Sequence, residues 1–151
     1  MIDWFQELLE FDRWANARVM DYMETLPEPS EQAQKLMAHI MIAREAWLNR
    51  CLQRPFSPAD SFPLYPLTEC RRLNEDIFKR WSDFLSGAGD LSKRITYTTF
   101  DGKPYESSLS DILNHVVNHG TYHRGQIAAK VRELGGKPVS TDYIYYTRTK
   151  N

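Results

Sequence analysis

The sequence predicts an all-α protein: a four-helix bundle with one long crossover and a short β-hairpin before the last long helix. Three observations carry that expectation. Four long segments repeat apolar residues at intervals of three and four. A stretch with four prolines separates the second segment from the third. An alternating stretch containing Asp101-Gly102 precedes the fourth.

The first helix is expected over residues 3–25, where Trp4, Phe5, Leu8, Leu9, Ala15, Val19, Tyr22 and Met23 form one stripe. Pro27 and Pro29 disfavour helix at and before their own positions and so end it. Ser30 is placed to cap a second helix, with Leu36, Met37, Ile40, Met41, Trp47, Leu48 and Cys51 on its apolar face. "QRPFSPADSFPLYP" is the irregular crossover. A third helix from about Thr68 buries Leu73, Ile77, Phe78, Trp81 and Leu85, and "SGAGD" stops it. In "KRITYTTFDGKPYESS", Ile95, Tyr97 and Thr99 alternate about a turn at Asp101-Gly102. Two strands alone are marginal, so this hairpin must lean on the helices. Ser108, with Asp111 three residues on, resembles a capping box and opens the fourth helix, which stops at Gly135 and Gly136. The aromatic tail "VSTDYIYYTRTKN" is expected to cross the helices as an extended strap whose tyrosines cover hydrophobic surface.

A chain of 151 residues fits a single domain, 1–151, large enough to bury a core without staples. A formal charge of −1 excludes the basic excess expected of a nucleic-acid or membrane-surface binder. No apolar run approaches a membrane span, and the amino-terminal stretch lacks the basic-then-apolar order of a signal peptide. Cys51 and Cys70 form no CxxC pattern and suggest no disulfide framework, which fits a reducing cytoplasm.

The chemistry concentrates in "NHVVNHGTYHRGQ", which holds His115, His119 and His123, three of the four histidines in the chain. Residues four apart stack on a helix, so an HxxxH pair can chelate one ion. All three cannot serve one ion, because three stacked turns spread the ring nitrogens over ~12 Å while ligand bonds are near ~2.1 Å. Helix phase selects the pair. With Ile112 at zero and ~100° per residue, the apolar residues centre near ~70°, and His123, His119 and His115 fall at ~20°, ~340° and ~300°. His119 and His123 therefore point inward and His115 lies near the rim. His39, the remaining histidine, sits on the flank of the second helix's stripe, where it could complete a site between two helices. Three histidines with an open fourth position is the pattern of a catalytic rather than a closed structural metal site. The plainer alternative is that these are hydrogen-bonded helix residues and that HxxxH arises by chance. Gln126, one turn beyond the pair, could orient a ligand; Arg124 and His115 are flanking candidates. Gly120 could admit a close neighbour. It also occupies the position of the HExxH glutamate, which rules out a zinc-protease helix. No GxSxG, phosphate-binding glycine loop or ExxH pair occurs.

Three stretches, "FDRWANARVMDYM", "HIMIAREAWLNR" and above all "NHGTYHRGQI" followed by "PVSTDYI", resemble the DinB family, the damage-inducible-type members of the DinB and thiol-transferase superfamily. The resemblance covers most of the chain and implies a four-helix bundle with a divalent metal on three histidines, which by position are His39, His119 and His123. It also implies one transition-metal ion, zinc or nickel foremost, although imidazole suits copper and iron too. Some superfamily enzymes use a low-molecular-weight thiol. The expected function is accordingly a metal-dependent enzyme, a thiol-dependent transferase or a hydrolase acting on a small-molecule substrate. The alternatives are a non-enzymatic, stress-related metal-binding homodimer and a bundle with no metal in the cell.

Overall fold

The computed structural model describes residues 1–150. These form five helices and one two-stranded antiparallel sheet: α1 (Ile2–Met23), α2 (Glu31–Cys51), α3 (Leu67–Ser86), β1 (Arg94–Thr98), β2 (Pro104–Ser108), α4 (Leu109–Glu133) and α5 (Tyr143–Arg148). The four long helices close a ring of contacts: α2 on α4, α4 on α1, α1 on α3 and α3 on α2. Their apolar stripes meet in one continuous cluster that includes Leu9, Met20, Met37, Met41, Leu48, Ile77, Trp81, Leu85, Ile112 and Ile127. Burying a side chain of this size stabilises by roughly 1.5–3 kcal/mol, so the ring is held chiefly by its interior.

The helix starts follow the capping residues. Ser30 Oγ accepts the Ala33 amide at 3.2 Å, and Ser108 Oγ accepts the Asp111 amide at 3.1 Å, satisfying amide groups that a helix start leaves unpaired. The hairpin pairs Tyr97 with Tyr105 and closes through Gly102, whose φ of +81° explains the Asp-Gly turn. Its backbone is tied to the start of α4 because Leu109 N donates to Lys93 O at 2.9 Å. The hairpin therefore leans on α2 and α4, as two marginal strands must.

Two expectations need correction. The tail is not an extended strap along its length: residues 143–148 form the short helix α5. Tyr143 and Tyr146, three apart, share one helical face and pack on Phe11 at ring distances of 5.3 and 5.7 Å, with Tyr146 5.6 Å from Trp14. The i, i+3 spacing made this face, and the tyrosine hydroxyls donate to Glu7 and Glu10 of α1. Covering hydrophobic surface falls to Tyr143 and Tyr146, while Tyr145 stays exposed. Leu134 is exposed because it lies past the last turn of α4.

Candidate metal centre

Helix α4 presents two working faces. One carries His119 and His123 toward α2, where His39 meets them; the other carries Gly120 and Arg124 toward α1. His119 Nε2 lies 3.2 Å from His39 Nε2 and 3.1 Å from His123 Nε2. One ring nitrogen from each of the three histidines falls within 4.8 Å of the others. For comparison, tetrahedral bonds of ~2.0–2.1 Å place donor nitrogens about 3.3 Å apart.

The tautomers of two rings follow from their other nitrogens. His39 Nδ1 donates to the Ser61 carbonyl at 2.7 Å, and His123 Nδ1 donates to Gln126 Oε1 at 2.6 Å. A carbonyl oxygen only accepts, so the hydrogen of each neutral ring resides on Nδ1 and each Nε2 keeps a bare lone pair. Both lone pairs face His119 Nε2, which can carry at most one hydrogen. Two acceptors and at most one shared proton are mutually repulsive at these distances, and a cation among the three nitrogens relieves this. The donor set thus fits a divalent metal on chemical grounds. It is also the usual outer arrangement of metal-binding histidines, each ring fixed by a carbonyl or amide partner.

Burial favours the neutral form of two of the rings. Burial, then proximity to His123 and His39, pushes His119 down to about 4. Burial also lowers His39, against the pull of the Ser61 carbonyl. Metal ligation requires the neutral ring, so these shifts remove a competing proton near pH 7.

His115 lies one turn away. Its ring is 5.5 Å from that of His119 and 5.0 Å from Trp47, edge-on, and it is not among the three converging nitrogens. Arg124 turns from the histidines to α1. Its guanidinium donates to Asp12, to Asn16 Oδ1 at 2.8 Å and to Thr121 Oγ1 at 2.9 Å. Asp12 also pairs with Arg44 Nε at 3.2 Å, and Arg44 reaches Asn74 Oδ1 at 2.8 Å. This buried network joins all four long helices directly behind the histidines. Gly120 is needed there, since a Cβ would lie 2.5 Å from Asp12 Oδ1 and 2.9 Å from Arg124 Nη1. Asn16 ties α1 to α3 and α4 through Asn74 and Arg124.

Sequence reasoning missed Asp12, Arg44 and Asn74. The available signal was polar residues within apolar stripes: Asp12 and Asn16 four apart in α1, and Arg44 between Met41 and Leu48 in α2. It also missed the crossover's part. Ser61 fixes His39, and Phe62 stacks flat on the same ring at 3.8 Å. A cavity of about 500 Å³ adjoins at Phe62, bounded by Glu31, Gln32, Lys35 and Leu36. The cysteines take no part: both are free and buried, and burial pushes their thiols up to about 12 for Cys51 and about 11 for Cys70.

Compared with known proteins, residues 1–151 match the family profile described as the DinB family. The chain is 29% identical to Protein DinB of Bacillus subtilis (strain 168) over 168 aligned positions, covering 99% of this chain and 98% of that protein. No solved structure matches.

Proposed function

Because the chain belongs to the DinB family, we propose that it is a single-domain four-helix bundle in which His39, His119 and His123 hold one divalent transition-metal ion, zinc or nickel foremost. The convergence of three imidazole nitrogens, two of them stripped of hydrogen by carbonyl partners, carries this reading. A divalent ion there supplies Lewis acidity, lowering the pKa of a water or thiol that it binds. The chain supplies the rest. Ser61 and Gln126 orient two of the rings, burial keeps His119 neutral, and Phe62 shields one side from water. With three protein donors the coordination shell has room for one more ligand. The reaction class that suits such a centre is thiol-dependent transfer or hydrolysis of a small molecule in the cytoplasm, by a chain acting as a homodimer.

The decisive experiment is metal analysis of purified protein and single variants. One ion per chain is expected, lost in His39→Ala, His119→Ala and His123→Ala and kept in His115→Ala. Stoichiometric metal in His119→Ala or His123→Ala, or its loss in His115→Ala, refutes the ligand set. Cobalt-substituted protein then separates the chemistries, since a small thiol that reaches the ion alters the visible spectrum. An unchanged spectrum favours the second reading, a metal-binding, stress-related dimer without catalysis. The flat stacking of Phe62 on His39 is the observation on that side.

A further inference from the structure

A cleft of about 850 Å³ opens at the carboxy-terminal end of α2, between the chain that leaves that helix and the β-hairpin. The guanidinium of Arg50 lines it in an aromatic setting, 4.3 Å from the Trp47 ring and 5.4 Å from those of both Tyr97 and Phe100. Among the described residues, Arg50 has no carboxylate partner, and its guanidinium makes no hydrogen bond within the chain. Ring faces stabilise a cation by roughly 0.5–2 kcal/mol but leave its N–H donors unspent. Those donors face water, where an incoming anion can take them up. Arg54, also on the cleft wall, is exposed and has no ion pair among the described residues. The one carboxylate lining the cleft, Glu106, is taken by Arg94 at 2.8 Å. The cleft therefore has positive charge to spare.

Its walls are fastened. Gln53 adopts a left-handed backbone, φ +54°, unusual for a residue with a side chain. Its carboxamide donates to the Arg50 carbonyl at 2.7 Å and to the Thr96 carbonyl of β1 at 3.1 Å. The Arg54 amide donates to the Asn49 carbonyl at 2.9 Å. With the Gln53 amide donating to the Arg50 carbonyl at 3.1 Å, these bonds are the left-handed stop that ends α2, and they hold this side of the cleft in place. Phe56, Tyr97, Phe100 and Tyr105 supply apolar, flat surface around the cation.

We propose that this cleft is a binding site for a small organic anion, a phosphate ester or carboxylate carried on a flat apolar body, with Arg50 as its anchoring cation. The planar fork of the guanidinium matches both anions, and the aromatic walls take the body. Trp47, behind Arg50, lies between this cleft and the histidine region, edge-on to His115 at 5.0 Å and to Tyr97 at 4.9 Å. The anion site does not require the metal.

The test is an amide-resolved NMR titration of the full chain, with chelator present, using phenyl phosphate, benzoate and, as neutral control, benzyl alcohol. Saturable shifts are expected in residues 50–54 and 96–100 with one or both anions and none with the alcohol. The stronger of the two anions identifies the headgroup. Arg50→Gln should weaken binding by about tenfold or more, the loss expected for hydrogen bonds to a charged group. Tyr105→Ala, at an exposed position on the wall, should also weaken it, and gives a reading should Arg50→Gln fail to fold. No saturable shift up to millimolar anion, equal affinity in Arg50→Gln, or shifts centred on residues 39 and 119 would overturn the proposal.

Discussion

Gln126 shows how one side chain can set the chemistry of another. Its carbonyl oxygen holds the hydrogen of His123 on Nδ1, so that Nε2 is left free beside His119. Gln126→Ala should therefore weaken metal binding by about 10- to 100-fold, the usual cost of losing such a partner, without altering helix content. Competition with a chromophoric chelator measures the first and circular dichroism the second. Asp12 is the matching case on the opposite face of α4. It is the one carboxylate in contact with two buried arginines, Arg44 and Arg124. Asp12→Asn removes the charge that both require, and breaking a buried pair from one side costs about 3–5 kcal/mol. Urea unfolding of the variant should show a loss of that order. A loss below about 1 kcal/mol would mean that water, not Asp12, satisfies these arginines.

At the scale of elements, α4 joins the ring through a histidine face and a charged face, and the histidine face responds to acid. His39 and His119 both have pKa values lowered by burial, His119 to about 4. The unfolded chain binds protons near the ordinary value of about 6.5, so between these values it holds more protons than the folded one. The stability tied to these neutral rings is therefore fully present above about pH 6.5 and is lost as pH falls toward about 4. Metal-free protein should unfold at lower urea concentration at pH 5 than at pH 7, and His119→Ala should flatten that difference. An equal midpoint at both pH values in the parent chain would contradict the placement of His119. The crossover belongs to this scale too. Four prolines stop it from forming helix, and it is this irregular chain that supplies Ser61 and Phe62 to His39.

For the whole molecule, the core decides how far folding depends on the ion. The buried cluster draws on all four long helices and does not pass through the histidines. Removing metal with a chelator should leave the far-ultraviolet circular dichroism largely unchanged. It should lower the melting temperature by on the order of 10 °C, the linkage expected when a tight ligand is withdrawn from a chain of this size. Collapse of the helical signal on chelation would instead make the ion part of the fold. Among the described residues no helix is long and apolar enough to cross a membrane, in keeping with a composition of 42% hydrophobic and 26% charged residues.

What the sequence determined by itself was whatever local periodicity and local chemistry encode. Apolar spacing located four helices, Ser30 and Ser108 marked two of their starts, and Asp101-Gly102 marked the hairpin turn. Helix phase was enough to separate His119 and His123 from His115, because the apolar stripe of α4 is itself a direction. The choice of His39 needed the family resemblance, since phase within α2 cannot say which turn of α4 lies opposite. Only tertiary structure decided the rest, for the same reason. Ser61 reaches His39 from 22 residues away, Arg124 reaches Asp12 from 112, and the hairpin brings the rings of Tyr97 and Phe100 to Arg50. Periodicity reports which side of an element is buried. Which polar groups meet there depends on the register between elements, and that register is set by packing over the whole core.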